Sequence, residues 1–270
     1  MNKIGAFIGA GCGLFLLSAA RAQVVYSSNF AGETSGFTAG GVISSLTTVT
    51  LPTDSGGLNS VNNAVWLGRI GAGVNKDPAS QEIANLNVTG LTAGRQYRVA
   101  FDLFIGGSWD GALATAPYAP DIWSFSVNAT TLVNTTFSNV QQGVDAGADS
   151  RQNYSPTTYN GISANDPLFL RFTGAAASFY DPGANYLLDY SIYYFGRGAG
   201  NPVLTFTATG TSAALQFVRS SGSTDSADEY WALNNVQVSG ITAAPEPGPV
   251  ALMAVGLLLP IALYARCRRT

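Results

Sequence analysis

Between Tyr97 and Ile105 the chain alternates without a break. Tyr97, Val99, Phe101, Leu103 and Ile105 fall on one side, and Arg98, Ala100, Asp102 and Phe104 on the other. A helix would scatter these two sets around its axis, whereas a strand sends successive side chains to opposite faces. The segment therefore reads as a half-buried strand. The same period of two governs the chain from Gln23 to about Ala244: Val42-Ile43, Val49-Thr50-Leu51 and Ala64 to Leu67 are short β-rich pieces between Gly, Pro and Asn clusters. No twelve-residue segment there has helical spacing, so the region is expected to be all-β.

Two hairpins are expected. The first joins Glu82–Val88, with Ile83, Leu86 and Val88 as core candidates, through Gly90-Leu91-Thr92-Ala93-Gly94 to the strand at Tyr97–Ile105. The second joins Asp121–Val127, with Trp123, Phe125 and Val127 on one face, through Asn128-Ala129-Thr130 to Thr131–Phe137. Further strands are expected at Leu168–Phe172, Tyr186–Phe195, Val203–Thr209, Ala214–Val218 and Tyr230–Val238. The alternating face predicts burial for Trp66, Trp123 and Trp231.

The ends differ from this body. Lys3, the apolar run Ile4–Leu17 and Ala20-Arg21-Ala22 have the layout of a secretory signal peptide, predicting maturation at Gln23. At the other end, Pro245-Glu246-Pro247 precedes an uncharged run to Ala265, and Arg266, Arg268 and Arg269 follow. Such a run as a helix just covers the hydrocarbon thickness of a bilayer, and the arginines mark its cytoplasmic side. A buried C-terminal core helix is the other reading of the run. The order of motif, span and basic end resembles the PEP-CTERM sorting tail of exported bacterial proteins. That resemblance implies an exosortase-type membrane protease as partner, recognising Pro245, Glu246 and Pro247. It also implies anchoring in the inner membrane before processing, then release to the cell envelope or extracellular matrix. The expected organisation is a signal peptide at 1–22, a β-sandwich domain at 23–241, a linker with the motif at 242–248, a transmembrane helix at 249–265 and a basic cytoplasmic tail at 266–270.

Composition narrows the function. The chain has no histidine, and its two cysteines, Cys12 and Cys267, fall in the two end segments. The body therefore has no disulfide to hold it, and it lacks the ligands of ordinary zinc sites and the base of Ser-His-Asp or Cys-His catalysis. Five of the 13 basic residues (Lys3, Arg21, Arg266, Arg268, Arg269) also belong to the ends. That leaves eight against fifteen acidic residues, Glu246 excluded, a net charge of −7. Such a surface repels phosphate backbones, so no nucleic-acid partner is expected.

Gly90-Leu91-Thr92-x-Gly94 followed by Tyr97-x-Val99-x-Phe101 resembles the turn and strand of jelly-roll carbohydrate-binding modules. The closing segment, Asp228-Glu229 then Trp231 and Leu233-Asn234-Asn235-Val236, resembles the last strand of galactose-binding-like jelly rolls, which lies beside the first strand. These resemblances imply a single antiparallel jelly-roll-like β-sandwich. Trp109-Asp110-Gly111, then Pro120-Asp121 and Trp123, resembles loops of lamin-G-like and jelly-roll domains in which carboxylates hold calcium. By that resemblance Asp110 and Asp121, joined by Asp102, are candidate calcium ligands, and no other cofactor is implied. The alternative is that Asp110 and Asp121 cap turns through their own backbone. Asn234 and Asn235 are expected to bond the first strand near Asn29-Phe30.

From Gln141 to Asn165 the only aromatic side chains are Tyr154 and Tyr159. Together with Trp109 they are expected to be exposed, and an exposed aromatic beside Asn and Asp suits the apolar face and hydroxyl rim of a sugar. Two tyrosines pinning a loop to the sandwich is the other reading. The chain is thus expected to be an exported, non-catalytic envelope or matrix protein that contacts extracellular polysaccharide. One alternative is an adhesive matrix protein with no discrete ligand, which self-association without a sugar effect would favour. Another is a jelly-roll polysaccharide hydrolase or lyase, for which Glu33, Glu82 and Glu229 stand in three unrelated sequence contexts.

Overall fold

The computed structural model describes residues 22–31, 33–51, 65–71, 81–114, 119–140, 151–180, 189–221 and 229–241. The signal peptide to Arg21, the Pro245-Glu246-Pro247 motif, the 249–265 span and Arg266, Arg268 and Arg269 lie outside the described residues, as does Tyr186–Leu188. Gln23–Ile241 forms one compact unit.

Every regular element in the described residues is a strand. The larger sheet contains β1 (Val24–Ser28), β3 (Thr48–Thr50), β4 (Val65–Ile70), β6 (Gln96–Gly106), β12 (Ala177–Phe179), β13 (Tyr190–Phe195), β14 (Leu204–Thr207) and β16 (Tyr230–Gly240). Its order is β12-β13-β6-β16-β4-β3, with β14 continuing beside β6 and β1 beside β16. The smaller sheet contains β2 (Phe37–Gly41), β5 (Gln81–Thr89), β7 (Asp121–Val127), β8 (Thr130–Thr136), β10 (Asn160–Gly161) and β15 (Ser212–Ser221), in the order β10-β8-β7-β15-β5-β2. A two-stranded ribbon pairs β9 (Arg151–Gln152) with β11 (Phe169–Leu170). Pairing is antiparallel except between β10 and β8, where Asn160 and Gly161 run parallel to Asn134 and Thr135.

The inward face of β6 is the centre of the fold. Phe101 stacks on Phe195 at 4.8 Å from its own sheet and meets Phe125 at 5.3 Å and Phe217 at 5.2 Å from the other. Tyr97, Val99, Leu103 and Ile105 join it in one core, as their alternation requires. Trp66, Trp123 and Trp231 are buried as expected. The opposite face of β6 is not simply wet, because Phe104 packs with Trp66, Tyr190 and Tyr230 in a second apolar cluster.

Three features differ from the sequence expectation. β5 and β6 are not a hairpin: β5 pairs with β2 and β15, and β6 with β13, β14 and β16. The 90–95 turn crosses between the sheets instead, with Leu91 buried and its N–H bonded to Thr211. On β5 the inward set is Glu82, Ala84, Leu86 and Val88, so Ile83 gives way to a glutamate. The last strand does lie beside the first, with Ser27 opposite Gln237, but Asn235 reaches Asp102 on β6 and not Asn29-Phe30. The second hairpin forms as expected, with Asn128 and Ala129 at φ 48° and 63° in its two-residue turn.

Candidate functional site

Sheet pairing brings Tyr194 of β13, Asp102 of β6 and Asn234 of β16 into one cross-strand row. Their sequence neighbours Tyr193, Phe101 and Leu233 belong to the core, so by strand alternation this row faces outward. Two residues further along β6, about 7 Å at ordinary strand rise, Ala100 pairs with Gln237, which pairs with Ser27. Between the rows β16 carries a bulge: Asn235 and Val236 together oppose the single residue Phe101, with Asn235 at φ 50°. The extra residue turns its side chain over the sheet, and Asn235 Nδ2 donates to Asp102 Oδ2 at 2.8 Å.

The other Asp102 oxygen accepts from Arg197. Arg197 arrives there because the chain folds back after β13. Gly196, at φ 69°, lies so close to β6 that any Cβ would collide with the Val99 carbonyl oxygen. The returning turn is closed by Gly196 N–H to Pro202 O at 2.7 Å and Asn201 Nδ2 to Arg197 O at 2.7 Å. Partial burial pulls the Arg197 pKa below its ordinary value, and the guanidinium lies 5.4 Å from the Tyr194 ring centroid.

Two depressions meet at Arg197 and Asn235. One, of about 340 Å³, is lined by Asp102, Tyr194, Asn201 and Asn234, with Trp66 and Ile192 as its apolar part. The other, of about 530 Å³, is lined by Ser27, Asn29, Glu33, Ser35 and Gln237, with Ala100 among its few apolar residues. Beside it, burial pushes the Tyr26 hydroxyl up to about 12, with Glu33 adding to the rise and the hydrogen bond from Ser28 opposing it. A third hollow, of about 170 Å³, lies between residues 42–47 and 68–71.

A second polar constellation lies inside the sandwich. Arg219 of β15, 1% exposed, donates to Glu82 at 3.0 Å and also binds Asp121 and Glu229. The other Glu82 oxygen accepts the Trp231 indole N–H at 3.0 Å. Asp121 Oδ2 accepts the Asp110 backbone N–H at 2.8 Å, and Trp109 lies 5.1 Å from the guanidinium. Oxygens of Asp110, Asp121 and Glu229 all fall within 4.8 Å of one another. Glu82 and Glu229, unrelated in sequence context, therefore converge on one cation. None of the three hollows above is lined by Asp110, Asp121 or Glu229.

The residues singled out from the sequence separate accordingly. Asp110 and Asp121 lie together with Glu229, while Asp102, expected to join them, stands apart on the outer face with Arg197 and Asn235. The expected exposure of Trp109 and Tyr154 is corrected: both are fully buried. The Trp109 indole donates to Tyr230 O at 3.1 Å. Tyr154 packs against Phe137 at 5.0 Å and Tyr193 at 4.9 Å, and burial raises its pKa strongly. Tyr159 is half-buried against the same core. Residues 151–180 are tied down by buried amides: Asn153 Nδ2 holds Ser163 O and Pro167 O at 3.1 Å each, and Gln152 Nε2 holds Tyr154 O at 3.0 Å. Tyr194, Arg197, Asn234 and Asn235 were not foreseen as site residues. The outward register of Asp102 was the one available signal.

No family model matches the chain, and no curated protein matches it. Among solved structures it is similar to the CBM2 module of the evolved Dit of Lactobacillus casei BL23 phage J-1, at 11% identity and TM-score 0.36, over 83% of this chain and 98% of that one. It is also similar to the CBM27-1 module of Caldicellulosiruptor saccharolyticus crystallised with mannohexaose, at 12% identity and TM-score 0.31, over 81% and 97%. A third likeness is to the enzymatically active domain of tailspike protein 4 from bacteriophage CBA120, at 12% identity and TM-score 0.30, over 76% of this chain. The chain spans 19% of that tailspike chain's length.

Proposed function

We propose that this chain is an exported, non-catalytic, jelly-roll-like binding protein that holds a glycan on the outer face of its larger sheet. The observation that carries this reading is the Tyr194–Asp102–Asn234 row, with Asp102 fixed by Arg197 and Asn235 between two open depressions. A sugar ring offers an apolar face and a rim of hydroxyls that each donate and accept. Tyr194, 37% exposed, supplies a ring for the first, and the carboxylate, amides and guanidinium supply partners for the second. Asp110, Asp121 and Glu229 are near enough to invite a hydrolytic reading, but each is buried and the last two are held by Arg219. That burial supports binding over catalysis.

In this account the PEP-CTERM-like tail, Pro245-Glu246-Pro247 with its span and arginines, delivers the sandwich to the envelope or matrix through an exosortase. Intact mass of the protein recovered from the host tests that step: a species ending near Pro245 supports it, and Thr270 retained throughout refutes it. Calcium, implied for Asp110 and Asp121, would enter at their cluster with Glu229 by competing with the contacts of Arg219.

The binding reading is tested by electrophoresis of the protein through gels carrying the host exopolysaccharide. Retardation is expected, reduced in Arg197→Ala by about tenfold or more in affinity, the worth of a hydrogen bond to a charged group. Equal mobility with and without polysaccharide overturns the reading.

A further inference from the structure

The two depressions share a wall but differ in chemistry, and their difference specifies the glycan. We infer that the site takes a neutral chain of at least two linked sugar residues, one in each depression, and discriminates against uronate-rich polymers. This rests on the glycan reading above and goes beyond it in length and charge.

Length follows from the rows. The Tyr194 depression has an aromatic and aliphatic side as well as an amide and carboxylate side, which fits one ring. The Ser27 depression has hydroxyl, amide and carboxylate walls, with Ala100 as a small residue between them, which fits a ring or linkage held by hydroxyls alone. Their reference rows are two residues apart along β6, about 7 Å at strand rise. Arg197 and Asn235 line both hollows, so they stand where the bond joining the two sugars would pass.

Charge follows from the count of ionised groups. Asp102 and Arg197 form an ion pair, and Glu33 is the further charged group on the wall of the larger hollow. Glu33 also accepts Ser35 Oγ at 3.5 Å, is exposed, and adds to the rise of the Tyr26 pKa. A carboxylate on a sugar in that hollow would face Glu33 directly. One unit charge about 7 Å away changes affinity about threefold even at the dielectric of water.

The test is calorimetric titration of the purified full-length chain with neutral mono- to tetrasaccharide fragments of the host polysaccharide, and with the same fragments after oxidation of their primary alcohols to carboxylates. The neutral tetrasaccharide should bind at least tenfold more tightly than the monosaccharide. Ala100→Leu, which fills the second hollow, should remove that gain, with unchanged near-UV circular dichroism, and a tetrasaccharide gain that persists in it overturns the second subsite. Oxidised tetrasaccharide should bind at least threefold more weakly than neutral at low salt, and Glu33→Gln should close the gap. Equal affinity for mono- and tetrasaccharide overturns the two-residue site while leaving the glycan reading standing. An unchanged preference in Glu33→Gln overturns the charge assignment. No binding of any fragment overturns the glycan reading itself.

Discussion

Arg219→Met tests the interior most severely. Methionine keeps much of the side chain's length and removes the cation from Glu82, Asp121 and Glu229, all under 5% exposed. Removing one partner from a buried ion cluster costs about 3–5 kcal/mol, because the carboxylates that remain have already lost their hydration. For a domain of this size each kcal/mol lowers Tm by about 2–4 °C, so a fall of roughly 6–20 °C is expected. Arg197→Met is the control. Its ion pair with Asp102 is 38% exposed on the arginine side, and solvent screening limits such a pair to about 0–1 kcal/mol, a shift under about 4 °C. Urea unfolding should show a lower midpoint with an unchanged slope in both variants. Adding Glu82→Gln and Glu229→Gln to Arg219→Met should recover more than half of the loss, since neutral groups are cheaper to bury than charges. Equal, small losses for Arg219→Met and Arg197→Met would refute the claim that the cluster is a sealed, mutually dependent unit.

Gly196→Ala should cost about 1–3 kcal/mol, the strain of an L side chain at this φ, and should weaken glycan binding by displacing Arg197; urea midpoints and gel retardation report the two effects. Gly71→Ala would push a methyl into the Glu82 carboxylate at φ 91°, so it should lower Tm without altering gel retardation. With no histidine in the chain, Tm should be flat between about pH 6 and 9. Tyr26, lifted by burial to about 12, binds its proton more tightly folded than unfolded, so its contribution is intact below about pH 10 and is lost as pH climbs toward 12. Absorbance at alkaline pH should show delayed tyrosine ionisation, and a single normal midpoint for all tyrosines would contradict it. Calcium that raises Tm in the wild type but not in Asp110→Asn would locate an ion at the Asp110–Asp121–Glu229 cluster; no change in the wild type would count against an ion there and leave Arg219 as the cation holding Asp121 and Glu229.

The strands and the core were readable because alternation is a local property. Tyr97–Ile105 and Asp121–Val127 each declare their buried face within a few residues. The same rule applied to charged residues would have found the interior cluster: Glu82 shares a face with Leu86 and Val88, Asp121 with Trp123, and Arg219 with Phe217 and Leu215. Reading Ile83 as core instead missed it, because a glutamate is costly to bury until its arginine, 137 positions away, is known. Which strands pair was not local. The 90–95 turn has the composition of a hairpin but carries the chain between sheets. The outer site depended on such pairing three times over: on β13 beside β6, on the bulge at Asn235, and on Gly196 folding Arg197 back. Trp109 and Tyr154 have the polar sequence setting of exposed loop aromatics, yet both are buried in the main core.

A bound glycan must touch the outer face of the larger sheet. In nitrogen-edited NMR spectra recorded while polysaccharide fragments are added, the side-chain amides of Asn29, Asn201, Asn234 and Asn235 report from both depressions, and Asn128 reports from the hairpin turn of the other sheet. Saturable shifts confined to the first four, and abolished by Tyr194→Ala with Arg197→Ala, are the predicted result. Saturable shifts at Asn128 with none at Asn234 and Asn235 would contradict it.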